Sequence, residues 1–186
     1  MIEALLKQSF ENALTTAFPG PGQESEGTKN ARLSELWVES LAEALRGQYN
    51  ESDGYRVFSK KYTGNKSEFK IQEFLYDITV VGTRKVLSAN GKTWLEYPHE
   101  IIWHIESEFH AHDSRESMVD FGKLMMSGAQ ERLLILPSGE NIEEWAKELL
   151  FGLRNDTPGS MRLAFLPHPK RWGSSGANDI EVTPKW

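Results

Sequence analysis

The sequence contains no cysteine. A disulfide framework, a thiolate zinc site, an iron–sulfur cluster and a cysteine nucleophile are therefore excluded. Long apolar runs are also missing, and none approaches the roughly 18 residues that a membrane span requires. The opening stretch from Met1 to Leu14 is interrupted by Glu3, Lys7 and Glu11, so it lacks the apolar block of a signal peptide. The expectation is a cytoplasmic protein with no membrane partner. No glycine-rich phosphate loop follows a strand pattern and no Gly-x-Ser-x-Gly elbow appears, which leaves serine hydrolases without support. Basic residues are in the minority, 21 against 27 acidic, for a net charge of −6. That balance argues against a surface uniformly coated in nucleic acid but leaves room for a local basic patch.

The chain has 186 residues, 39% of them hydrophobic. That length suits about one domain with a core of its own. Charge is distributed unevenly: residues 51–92 hold 8 basic and 5 acidic side chains, between two acidic flanks. A basic stretch of this kind is either a set of solvated, lysine-rich strand edges or a surface for an anionic partner.

Apolar spacing divides the chain further. Leu5, Leu6, Phe10 and Leu14 follow a helical rhythm that Pro19-Gly20-Pro21-Gly22 closes. Residues 1–22 thus read as an amphipathic helix on a Pro/Gly hinge, and residues 23–186 as a single domain. Leu33, Leu36, Trp37, Leu41 and Leu45 predict a second helix, capped at Thr28 or Asn30. Strand patterns follow at Tyr55–Ser59, Ile71–Val81 and Ile101–Phe109, with a polar connection over residues 60–70. A helix from Ser114 carries a stripe of Met118, Phe121, Met125 and Met126. Arg132–Pro137 reads as a central strand, Asn141 caps another helix, and Met161–Pro167 is a last strand before a Gly/Ser-rich tail from Lys170. Three consecutive strands suit an antiparallel meander, and strand–helix–strand units suit parallel crossovers. The expected fold is α/β, a three-layer sandwich around a central mixed sheet.

Three carboxylates stand where strands are expected. Asp77 falls inside an apolar run, and Glu106 and Glu108 lie two apart on one strand face. Carboxylates in strand interiors are costly unless paired, ligated or solvated at an edge. One alternative places Glu106 and Glu108 on a wet sheet face with Asp77 near an edge. In the other they converge, and a divalent cation relieves their repulsion, with hard oxygen ligands favouring Mg²⁺ or Mn²⁺.

Asp77, followed 29 positions later by Glu106-Ser107-Glu108, resembles the PD-(D/E)xK nuclease superfamily, which has the restriction-endonuclease-like fold. The element order over residues 31–137 is similar to that family's αβββαβ core. The resemblance implies a Mg²⁺-dependent (or Mn²⁺-dependent) endonuclease acting on DNA, with Asp77 and Glu106 as metal ligands. The sequence departs from the pattern in two places. No proline precedes Asp77, and Glu108 holds the position of the usual lysine, giving an ExE variant. By the same resemblance Glu108 is a general base or an additional ligand, and Lys123 on the following helix is an alternative carrier of the lysine role. Family members also draw an acidic residue from the first core helix. Glu39 is the first choice here, flanking the apolar stripe, with Glu43 on the same flank and Glu35 farther round as alternatives. Lys60, Lys61 and Lys66 would contact substrate phosphates, which position a duplex without reading it.

Two other readings stay open. A nuclease-like domain without its lysine can serve as a catalytically silent binding or assembly module, and the N-terminal helix would then be an arm for a homodimer. His104, Glu106, Glu108, His110 and His112 alternate along one strand, as in a His/carboxylate metalloenzyme. His110-Ala-His112 with Glu116 resembles the first metal motif of cupins, although the upstream glycine is missing and a helix follows Ser114. His104 by itself reads as a half-buried, hydrogen-bonded histidine.

Overall fold

The computed structural model describes residues 2–17, 25–109, 114–152 and 159–186. Its elements are α1 (Ile2–Ala17), α2 (Glu26–Gln48), β1 (Tyr55–Ser59), a single turn α3 (Lys66–Phe69), β2 (Ile78–Leu87), β3 (Trp94–Ser107), α4 (Ser114–Met125), β4 (Glu131–Pro137), α5 (Glu140–Gly152), β5 (Ser160–Leu166) and β6 (Glu181–Val182). The six strands form one mixed sheet in sequence order. β1, β2 and β3 are an antiparallel meander, β3, β4 and β5 run parallel, and β6 returns antiparallel to β5.

Strand alternation builds two cores from one sheet. Ile78, Val80, Trp103, Ile105, Leu133, Ile135, Ala164 and Leu166 face α1 and α2. Leu134, Leu136, Leu163 and Phe165 face α4 and α5 with Phe121, Leu124, Ala146 and Leu150. Both faces of β4 and β5 are covered, as the apolar runs Leu133–Pro137 and Leu163–Leu166 require. The protein is thus a mixed α/β structure with helices on both faces of the sheet. No described helix is long and apolar enough to cross a membrane.

Several expectations shift on contact with the structure. α1 is part of the same core: Ile2, Leu6, Phe10 and Ala13 are buried against α2, and Ser40 Oγ donates to the Ser9 carbonyl. The Pro/Gly hinge at 19–22 lies outside the described residues. Ser25, rather than Thr28 or Asn30, caps α2 by accepting from the Thr28 amide. The second strand pattern, 71–81, begins as a strand only at Ile78, so Asp77 lies just before β2 and not inside it. The methionine stripe is also displaced. Phe121 and Leu124 are the buried apolar residues of α4, whereas Met118 is 44% exposed and Met126 85% exposed. The Gly/Ser-rich tail is structural, since Trp172 is 1% exposed and stacks edge-on against Phe10.

The β2–β3 ladder contains two register shifts, between Val80 and Val81 and between Gly82 and Thr83. Bulges add twist and re-aim the strand beyond them. β1 accompanies β2 only from Ile78 to Gly82, and β4 accompanies β3 only from Trp103 to Ser107. The remaining half of the hairpin extends past the sheet as a two-stranded ribbon.

Candidate functional site

Two of the three strand carboxylates predicted from the sequence, Asp77 and Glu106, meet where the hairpin enters the sheet. Asp77 stands one step beyond the Ile78–Ile105 rung, alongside Glu106 at the end of β3. The Asp77 amide donates to Glu106 Oε2 at 3.4 Å, and the Ser107 amide donates to Asp77 Oδ2 at 2.9 Å. These two backbone contacts hold the acids beside each other.

A cation reaches the same point from the other direction. α4 is amphipathic, with Phe121 and Leu124 turned into the second core. The residue between them in the turn, Lys123, reaches back over the end of β3. Its Nζ donates to Glu106 Oε1 at 2.9 Å and to Asp120 Oδ1 at 2.6 Å. Tyr76 locks this end of α4 by donating its hydroxyl to the Lys123 carbonyl at 3.0 Å. Glu108 stands where the resemblance would place a lysine, but the ammonium that meets the carboxylates comes from the helix. Asp120 was not anticipated from the sequence. Its signal was legible all the same, because an acid three residues before a lysine on one helix places the two side chains together.

Burial sets the electrostatics of the pair. Removal from water pushes the Asp77 carboxyl up to about 6, opposed by the Ser107 amide and supported by the negative charge of Asp120. Burial likewise raises Glu106 to about 7, with Lys123 acting against it and Asp77 adding to it. For Lys123 burial acts downward, but the hydrogen bonds to Asp120 and Glu106 outweigh it and hold the ammonium above its ordinary value. Two acids whose ionisation is held back by burial, beside one firmly protonated amine, leave a site where further positive charge is stabilising.

On the α2 side, Asp77 and Ser107 line a cavity of about 120 Å³ with Glu35, Glu39, Lys60 and Lys61. Of the three helix acids considered, Glu39 is the one turned most firmly inward. Its oxygens accept from the Ser59 hydroxyl and the Lys61 amide, both at 2.8 Å, and Arg46 lies 3.6 Å away. Glu43 is exposed and pairs with Arg46. Glu35 takes two of the three predicted phosphate contacts, with Lys61 Nζ at 2.8 Å and Lys60 Nζ at 3.5 Å. Lys66 begins α3, exposed and away from the cavity lining. Glu108 sits beyond the end of β3 and shares a surface hollow with Arg115, Glu116 and Asp120.

His104, on the same strand face as Glu106, is neutral and structural. Its Nδ1 is 2.6 Å from Ser127 Oγ, its ring stacks on Tyr76 at 3.6 Å, and burial lowers it to about 4. His110 and His112 lie outside the described residues. Among the described residues no three His, Cys, Asp or Glu side chains are grouped to hold a metal ion. The donor chemistry nevertheless fits Mg²⁺ or Mn²⁺. Mg²⁺ is ordinarily held by one or two carboxylates, with water and substrate phosphate completing its shell. Asp77 and Glu106 supply such a pair, and their raised affinity for protons marks a place where added positive charge is stabilising.

Comparison with family models, with curated proteins and with solved structures finds no match.

Proposed function

We propose that the protein is a divalent-metal-dependent endonuclease of DNA, built on a restriction-endonuclease-like αβββαβ core. The observation that carries this reading is the meeting of Asp77, Glu106 and Lys123 at the open end of the β2–β3 hairpin. Helix α2, the meander β1–β3, α4 and β4 occur in the order that core requires. Glu39, from its first helix, lines the same cavity as Asp77.

In this reading Asp77 and Glu106 hold Mg²⁺ or Mn²⁺. When bound, the ion supplies Lewis-acid stabilisation of charge on the scissile phosphate and a more acidic water. The chain contributes the rest. The Ser107 amide orients the Asp77 carboxylate, and Asp120 positions the Lys123 ammonium next to Glu106. That ammonium neutralises negative charge developing on a phosphate oxygen, in a partly buried setting where such a contact is worth more than in water. Glu39 orders the β1–α3 connection through the Lys61 amide, which shapes the cavity mouth.

A second reading is favoured by one contact. Lys123 already satisfies Glu106 Oε1 at 2.9 Å, as it would in a silent nuclease-fold binding protein whose ion has been replaced by an ammonium. Incubation of supercoiled plasmid with Mg²⁺ or Mn²⁺ separates the two. Nicked or linear product from the wild type, absent with Asp77→Ala, supports the nuclease. Equal persistence of plasmid with both proteins, together with no divalent binding by calorimetry, overturns it and leaves the binding protein.

A further inference from the structure

We infer that the free half of the β2–β3 hairpin is a DNA-binding arm that seats in the groove of a duplex. The inference deepens the nuclease reading by naming double-stranded DNA as the substrate class, and it rests on that reading for its link to cleavage. Its own support lies in the arm.

Residues 83–87 and 94–98 pair with each other but with no third strand, since β1 stops at the Gly82 rung and β4 begins at the Trp103 rung. A two-stranded ribbon is one of the elements that the major groove, about 12 Å wide, admits. The turn at its tip is firmly built. The Ser88 amide donates to the Thr93 carbonyl at 2.8 Å, the Gly91 amide to the Ser88 carbonyl at 2.8 Å, and the Lys92 amide to Asn90 Oδ1 at 3.1 Å. Gly91 takes a φ of +70° there, which glycine adopts without strain. The arm is thus an ordered projection, which lowers the entropy lost on binding.

Its charge is of one sign. Residues 83–98 contain Arg84, Lys85 and Lys92, all exposed, and a single acid, Glu96. Glu96 is turned inward, accepting from Arg56 Nη2 at 2.9 Å and from the Thr83 hydroxyl at 2.6 Å. No ion pair among the described residues occupies Arg84, Lys85 or Lys92. Lys60 and Lys61, by contrast, are held by Glu35. Three of the eight basic side chains of the 51–92 segment are therefore displayed by the arm. Between the cations stand exposed apolar side chains, Trp94 at 67% and Leu95 at 50%. On one face the rungs are Arg84–Tyr97 and Val86–Leu95, and Leu87–Trp94 lies on the other. Such a surface is costly in water and suits a partner with both phosphates and base edges. Nine strand rises of about 3.4 Å place Leu87 roughly 30 Å from Ile78, close to one turn of B-form DNA. One continuous duplex can then span the arm and the carboxylate site.

The test measures binding of a fluorescein-labelled 30-base-pair duplex by anisotropy, in EDTA so that cleavage plays no part, between 50 and 200 mM salt. The triple variant Arg84→Ala, Lys85→Ala, Lys92→Ala should bind at least about tenfold more weakly at 50 mM salt. Its slope of log affinity against log salt should be shallower by about 2–3, one per lost phosphate contact. All three side chains are exposed, so an unchanged melting temperature certifies the fold. Equal affinity and equal slope overturn the arm. So does equal competition by single-stranded DNA of the same length, or a loss of dimer mass in the Trp94→Ala variant, which would assign the surface to a second copy. Plasmid cleavage reports separately. A wild type that binds through the arm but never cleaves supports the arm and overturns the nuclease. Cleavage and binding that survive the triple variant do the reverse.

Discussion

The two ends of the β2–β3 hairpin share one ladder and almost nothing else. At the sheet end, Ile78, Thr79, Val80, Trp103, His104 and Ile105 are buried between helices, His104 bonds Ser127 and Asp77 accepts from the Ser107 amide. At the free end, Val86, Leu87, Trp94 and Leu95 are exposed, and among the described residues Arg84, Lys85 and Lys92 form no ion pair, Glu96 opposite Lys85 being taken by Arg56. Helix cover explains the contrast. Where α2 and α4 lie over the strands, the local dielectric falls, and a pair of acids shifts toward its neutral form and becomes a place for added positive charge. Where no helix lies over them, charges remain fully solvated, and their effect on a polyanion is long-ranged and weakened by salt.

Four changes test that contrast, the largest effect first. Asp77→Asn and Glu106→Gln, each of similar shape, should reduce plasmid cleavage by about a thousandfold, as loss of a group acting on the transition state does. A loss under tenfold in a time-course assay would move the chemistry elsewhere. Lys123→Met should cost about 10- to 100-fold in the same assay. It should also weaken the fold at neutral pH, because Glu106 then loses its only named cation. An active, fully stable Lys123→Met protein would detach α4 from the site.

The third concerns pH. Asp77 and Glu106 have folded values raised to about 6 and about 7, above those of the unfolded chain. The folded state therefore binds the extra protons, and the stability they contribute is present below about pH 4. It is lost as pH rises through 6 and 7, by on the order of 2 kcal/mol for the coupled pair. Denaturant melts at pH 5 and pH 8 should show the difference, and the Asp77→Asn, Glu106→Gln double variant should remove it. Added Mg²⁺ should recover stability at pH 8 and have little effect at pH 5, where protons compete for the same oxygens. The smallest effect belongs to the arm. Trp94→Ala should change unfolding free energy by less than about 0.5 kcal/mol, since the ring is mostly in water. Trp37→Ala, at 0% exposure, should cost about 3–5 kcal/mol. A large loss at Trp94 would mean that the arm is packed against something.

The order of elements was legible because the relevant signals are local. Leu33, Trp37, Leu41 and Leu45 repeat with the helix, and the apolar run at 132–137 can only be a strand covered on both faces. The displaced methionine stripe shows the limit of that signal. Met118 and Phe121 are three residues apart on α4, yet only Phe121 reaches the core, because the crossover from β3 to β4 sets which side of the helix meets the sheet. The short run before Ile78 failed for a related reason. Its aromatic residues favour a strand, but Phe74 packs edge-on against Phe58 across the sheet surface and the chain there does not pair.

By itself the sequence determined the α/β class, the positions of most helices and strands, and the presence of two acids, Asp77 and Glu106, in a place that apolar residues normally fill. It also determined that carboxylates and histidines are the metal chemistry on offer, since there is no cysteine. Tertiary structure alone decided that Lys123 of α4 meets Glu106, that Glu39 rather than Glu43 turns into the cavity, and that Glu35 takes Lys60 and Lys61 while Arg84, Lys85 and Lys92 stay open. The physical reason is one of range. Periodicities of 3.6 and 2 residues are carried by neighbours along the chain. The partner of a charge is chosen by strand register, crossover and the end of a helix, which only the assembled fold brings together.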